Sequence, residues 1–199
     1  EMDAILKGQG LTQGSVGDRI EQLAKDPKYL YPNTDEGREQ VLEEYRRILK
    51  EVNARMPEYF KTMPPGELKV ELKVEALGTE GKAGAYYQQA AQDGSRPGTF
   101  YANLRDVTET PKWAMKTLAY HEGIPGHHFQ IATAQGLKGL PLIRQQTLYS
   151  SYAEGWALYA EGLADEMKLF SGDLDRLGML SSQNWRAARL VVDTGLHAL

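Results

Sequence analysis

The chain has 199 residues, 41% of them apolar, which is enough to bury the core of one domain. Its net charge of −4, with the signs interspersed, leaves no basic stripe for nucleic acid. No run approaches the roughly 18 apolar residues of a membrane span, and the opening EMDAILKGQG lacks the basic start and apolar stretch of a signal peptide. With no cysteine, disulfides, thiolate ligands and a cysteine nucleophile are excluded, so any metal must be held by His, Asp or Glu.

Ser15 begins an S-x-x-D box before a short helical pattern that ends near Pro27. Thr34 precedes a longer helix whose Val41, Leu42, Tyr45, Ile48, Leu49 and Val52 share one apolar face, with Pro57 marking its end. The segment LKVELKVEA then alternates Leu68, Val70, Leu72, Val74 and Ala76 with charged residues, the period of a strand with one wet face. Two more strands are expected at about 83–90 and 98–104, separated by the turn-forming QDGSRPG, and together they form a small antiparallel sheet.

After Thr110-Pro111 the pattern is helical through Tyr120-His121-Glu122 until Pro125-Gly126 interrupts it. Pro141 can open a long helix through Glu154 to about Phe170, weakened locally by Gly155 and Gly162, and Asp173 can open another that runs to the end. Helices, a strand meander and three further helices make an α+β fold, mostly helical. Residues 1–199 read as a single domain, and the stop inside a helical pattern at DTGLHAL reads as a fragment of a larger protein whose last helices are missing.

Three of the four histidines, His121, His127 and His128, lie in HEGIPGHH. In the H-E-x-x-H helix of zinc peptidases, residues four apart share a face, so two imidazoles reach one ion while the Glu meets the bound water. Here the fourth residue after His121 is Pro125, and the next histidines are six and seven positions on. On an unbroken helix six residues advance about 9 Å and turn to another face. Proline and glycine in IPG suit a local bulge, and one absorbing two residues puts His127 where the second ligand belongs, with His128 as the second choice.

Downstream, YAEGWALYAE places Glu154 and Glu161 two turns apart on one helix. Glu154 is 27 residues past His127, enough chain to bring that carboxylate back as a third ligand, leaving a fourth position for water. Glu161 can support a ligand from behind.

The stretch EGWALYAE resembles the zinc-ligand helix of aminopeptidases of the gluzincin clan, E-G-F-A-x-Y-x-E. TLAYHEGIPGHHFQ and RLVVDTGLHAL, with AYYQ, DGSRPGTFYANL and GDRIEQL, resemble more closely the bacterial domain-of-unknown-function family 885, grouped with those metallopeptidases. The resemblance covers nearly the whole chain. It implies a zincin-like helix bundle beside the sheet, Zn2+ on His121, His127 and Glu154, and Glu122 as the general base. It also implies a longer protein, often exported or lipid-anchored, of which this chain is the C-terminal part.

Within RLVVDTGLH, His197 becomes a candidate donor to the oxyanion, a task other peptidases of that clan give to His or Tyr. Arg189 is a candidate for a substrate carboxylate, against an ion pair with Asp193 one turn on. Tyr101 and Asn103 share a face of the last strand, which can form the cleft edge that pairs with an extended peptide, or can simply pack. His128 is a further substrate contact or a packing residue. The expected function is zinc-assisted hydrolysis of a peptide or small amide. The alternatives are another amide or ester substrate, and a helical binding module without chemistry, which zinc content separates from the hydrolase.

Overall fold

The computed structural model describes residues 1–73, 85–141, 143–144 and 149–198. It opens with helix α1 (Met2–Gly8), which the sequence reading does not place, and α2 (Val16–Ala24). The Ser15 box is realised: Ser15 accepts from the Asp18 amide while Asp18 accepts from the Ser15 amide at 2.9 Å. The buried Arg19 donates to Asp3 at 2.7 Å and ties the two helices together.

Helix α3 (Asp35–Arg55), capped by Thr34, buries the six-residue face read from its periodicity. That face meets Phe100, Ala102 and Leu104 from the sheet side and Met115, Ala119 and Tyr120 from α4 (Met115–Glu122), which forms the main core. A smaller core gathers Ile5, Leu6, Leu23, Trp113 and Leu177.

The fold is α+β and mostly helical, with one three-stranded sheet. Its strands are β1 (Leu68–Lys73), β2 (Ala85–Gln88) and β3 (Gly98–Asn103), in the order β1-β3-β2. β2 and β3 form the expected antiparallel pair around 89–97, with Tyr86 opposite Tyr101. β1, however, runs parallel to β3, from Leu68 opposite Gly98 to Lys73 opposite Asn103, so the sheet is mixed. Alternation identifies a strand and its faces; it carries no information on partner or direction. The part of the first predicted strand at 74–76, and residues 83–84, lie outside the described residues.

Helices α5 (His127–Gly136), α6 (Ser150–Glu166) and α7 (Asp173–His197) complete the chain. α6 begins at Ser150, not at Pro141; residues 142 and 145–148 lie outside the described residues. Its buried residues are Glu161 and four alanines, Ala153, Ala157, Ala160 and Ala164, spaced four, three and four apart. These small side chains let its backbone approach its neighbours closely. The helix runs unbroken through Gly155 and Gly162. Among the described residues no helix is long and apolar enough to cross a membrane.

Candidate metal centre

The segment HEGIPGHH breaks one helix and starts another. α4 ends at Glu122, and the Gly123 amide still donates to Ala119 at 2.9 Å. The chain then passes through a cis Ile124–Pro125 bond and re-enters a helix at His127, with Gly126 as N-cap. Gly126 lies so close to α4 that a Cβ on it would stand 1.9 Å from the His121 carbonyl oxygen. The Trp156 indole donates to the Pro125 carbonyl at 2.8 Å and holds this turn against α6. The expected bulge within one helix is therefore a break between two, because Pro125 cannot donate and Gly126 permits the close approach.

The break brings the rings of His121 and His127 to 4.8 Å between centroids, with planes 82° apart. Glu154, on α6, joins them. Its carboxylate lies 3.4 Å from His121 Nε2 and 3.6 Å from His127 Nε2. One ligand atom from each of the three residues can be chosen so that all lie within 4.8 Å of one another. Two ligands bound tetrahedrally to one zinc at normal bond lengths stand roughly 3.3 Å apart; the donor types suit such an ion and the two Glu154 distances match that spacing, while the widest separation in the set has to close on binding.

A second layer supports His121. Glu161, two turns after Glu154 and fully buried, lies 2.8 Å from His121 Nδ1. Arg186 of α7 grips the same carboxylate through both oxygens, at 2.8 and 3.0 Å, and also donates to Ser182 at 2.7 Å. Arg186 Nη2 stands 3.1 Å from His121 Nδ1 as well. The shorter contact to an acceptor-only carboxylate decides the tautomer: Nδ1 carries the proton and donates to Glu161, which leaves the Nε2 lone pair facing Glu154. His127 differs, since its Nδ1 is buried without a hydrogen-bond partner.

Glu122 is buried beside this cluster and accepts from the Tyr87 backbone amide of β2. Burial pushes its carboxyl up to about 7; the Glu154 charge adds to the rise, and His121 and Arg186 oppose it. Burial also pushes the His127 imidazole below its ordinary value, which favours the neutral ring that a metal requires. The cluster opens on a cavity of about 980 Å³ whose walls include Tyr86, Tyr87, Trp185, Arg186 and Arg189.

Of the residues expected from sequence, His121, Glu122, His127 and Glu154 come together. His128 points elsewhere: its Nδ1 lies 3.1 Å from the Tyr87 hydroxyl, and it lines neighbouring cavities rather than this one. Arg189 lines the cavity beside the cluster, with its guanidinium over the Trp185 ring at 4.7 Å. His197 does not reach it. It is exposed near the end of α7, contacts its own helix at Asp193, and lies 11 residues past Arg186, about 16 Å along the axis.

Tyr101 and Asn103 also stand apart. β3 is flanked by strands on both sides, so its backbone bonds are already used and it cannot pair with an added peptide. Tyr101 packs on Tyr86 at 5.2 Å, and Asn103 accepts from the Arg105 amide at 3.4 Å. The strand that lines the cavity is β2. Arg186 and Tyr87 are site residues that sequence reasoning missed. Arg186 sits one turn before Arg189, and the AYYQ stretch holds Tyr87, but neither carries a motif.

The sequence profile of the family described as "Bacterial protein of unknown function (DUF885)" matches residues 1–199. No curated protein is matched. Among solved structures the chain is similar to "the putative lipoprotein from Colwellia psychrerythraea", with 42% sequence identity and a TM-score of 0.92. That match covers 98% of this chain and 33% of the other, so this chain spans about a third of its length.

Proposed function

This chain belongs to the bacterial family DUF885, and we propose that it carries the zinc centre of a hydrolase of the gluzincin type, acting on a peptide or small amide. The observation that supports this most is the convergence of His121, His127 and Glu154 within 4.8 Å, at the wall of an open cavity and beside the buried Glu122.

In this reading His121 and His127 bind through Nε2 and Glu154 through its carboxylate. Zinc, when bound, lowers the pKa of a water toward ~7 and polarises the carbonyl to be attacked. Glu122, buried beside the cluster, would accept the proton of the attacking water and return it to the leaving nitrogen. Glu161 and Arg186 keep His121 in one tautomer and one orientation. Tyr86 and Tyr87 of β2 form the wall along which an extended substrate lies, and Arg189 stands at the rim for a substrate carboxylate. The description of the similar protein as a lipoprotein supports an exported or lipid-anchored setting for the whole protein.

The test is metal content after purification without chelator, followed by turnover on a panel of peptides, amides and esters. One equivalent of zinc with amide hydrolysis that Glu122→Gln abolishes is the expected result. Hydrolysis of esters alone moves the substrate class, and a chain that neither retains nor takes up zinc overturns the proposal.

A further inference from the structure

His127 and His128 are consecutive at the start of α5, yet they serve different cavities. His127 belongs to the metal cavity, whereas His128 borders a second one of about 570 Å³ between loop 89–97 and α5. The expected function makes no use of that second cavity. We infer that it is a binding site for a carboxylate group, anchored by Arg96.

Arg96 is the one lysine or arginine among the described residues lining this cavity. Its Nη1 is shielded from solvent and has no hydrogen-bond partner. A guanidinium cannot shed its charge to escape that situation, and a charged donor without an acceptor is costly. Nη1 itself is closed to a water-sized group, so a ligand acceptor meets the half-buried guanidinium through its remaining N–H groups, where Arg96 lines the cavity.

The loop that presents Arg96 is fixed by its own bonds. The Ala91 amide donates to the Arg96 carbonyl at 2.9 Å, the Gly94 amide donates to Ala91 at 3.0 Å, and Gln135 of α5 donates to the Ala90 carbonyl at 3.0 Å. Asp93, the loop's carboxylate, is occupied by the amide and hydroxyl of Ser95 at 2.9 and 2.6 Å. Arg96 is also near enough to Tyr87 for its charge to oppose the rise that burial imposes on the phenol. At Gly98, on the cavity wall, a Cβ would stand 2.4 Å from the Tyr87 hydroxyl and 3.1 Å from His128 Nδ1. Glycine is therefore required for the Tyr87–His128 pair to form there.

Charge selects the ligand class. Among the described residues, the one carboxylate on this wall is the exposed Glu67, which leaves Arg96 Nη1 unpaired. One cation beside one carboxylate that does not pair with it suits a monoanion and disfavours a dianion. The guanidinium fork matches the two oxygens of a carboxylate. No residue of this cavity is a proposed zinc ligand, so the inference does not rest on the hydrolase reading.

The experiment is calorimetry on metal-free protein, dialysed free of chelator, with three probes: N-acetyl-alanyl-alanine as the free acid, its C-terminal amide, and inorganic phosphate. The free acid is expected to bind at least tenfold more tightly than the amide and more tightly than phosphate. Arg96→Gln is expected to weaken the acid roughly ten- to a hundredfold, the range for a hydrogen bond to a charged group, and to leave the amide unchanged. Arg96→Lys keeps the charge but not the fork, so it should also weaken the acid; where the Gln variant fails to fold, the Lys variant carries the test, with its melting midpoint as control. Equal binding of acid and amide, phosphate binding tighter than the acid, no binding of the acid, or an acid affinity insensitive to Arg96 each overturns the inference. Failure of the zinc proposal is read separately, from metal content.

Discussion

Glu161 has no exposure to solvent and accepts the Nδ1 proton of His121 at 2.8 Å, although 40 residues separate the two in sequence. The pair fixes which nitrogen of His121 faces His127 and Glu154, the other two members of the proposed metal centre. Glu161→Gln is therefore expected to bind zinc about ten- to a hundredfold more weakly than the parent, as losses of such supporting partners typically run. Competition with a chromophoric chelator measures this, and an unchanged affinity would show that Glu161 does not orient the ligand.

Arg186 neutralises Glu161, so removing the cation alone strands a buried carboxylate. Arg186→Met should destabilise the fold by about 2 to 3 kcal/mol, below the usual cost of breaking a buried pair because Arg186 itself is partly exposed. The double variant with Glu161→Gln should recover much of that loss. Denaturant melts of the two single variants and the double variant give the coupling; simple additivity would contradict a dependence of one on the other.

The break between α4 and α5 depends on Gly126, where a Cβ would meet the backbone oxygens of His121 and Tyr120 at 1.9 and 2.3 Å. Backbone cannot step aside without moving His127. Gly126→Ala should lower both the melting temperature and zinc affinity. Gly162 in α6 has nothing within 4 Å of its Cβ position, so Gly162→Ala should stabilise by roughly 0.5 to 1 kcal/mol through helix propensity. Thermal melts of the two variants should move in opposite directions.

Much of the site was legible because helical periodicity alone puts Glu154 and Glu161 on one side of α6 and marks the histidine cluster as unusual. The choice between His127 and His128 was not, since it turns on how the chain crosses Ile124, Pro125 and Gly126. Arg186 was invisible for a different reason: its partners lie 25 and 65 residues away, and only the packing of α7 against α4 and α6 brings them together. The same limit misplaced His197, whose helix carries it past the cluster. In the sheet, alternation marked the strands, whereas the parallel placement of β1 beside β3 left no trace in the pattern.

His127→Ala is expected to reduce zinc affinity far more than His128→Ala, because His127 faces Glu154 at 3.6 Å while His128 is held by Tyr87. The chelator competition that reads Glu161→Gln applies here as well. The reverse order would move the second ligand to His128.

The central claim is that His121, His127 and Glu154 share one zinc ion. An anomalous-scattering map recorded at the zinc absorption edge, from crystals grown with one equivalent of zinc and no chelator, tests it most directly. The account predicts a single strong peak within bonding distance, about 2.0 to 2.2 Å, of His121 Nε2, His127 Nε2 and a Glu154 oxygen. A peak elsewhere, or none in that cluster at full zinc, would contradict it.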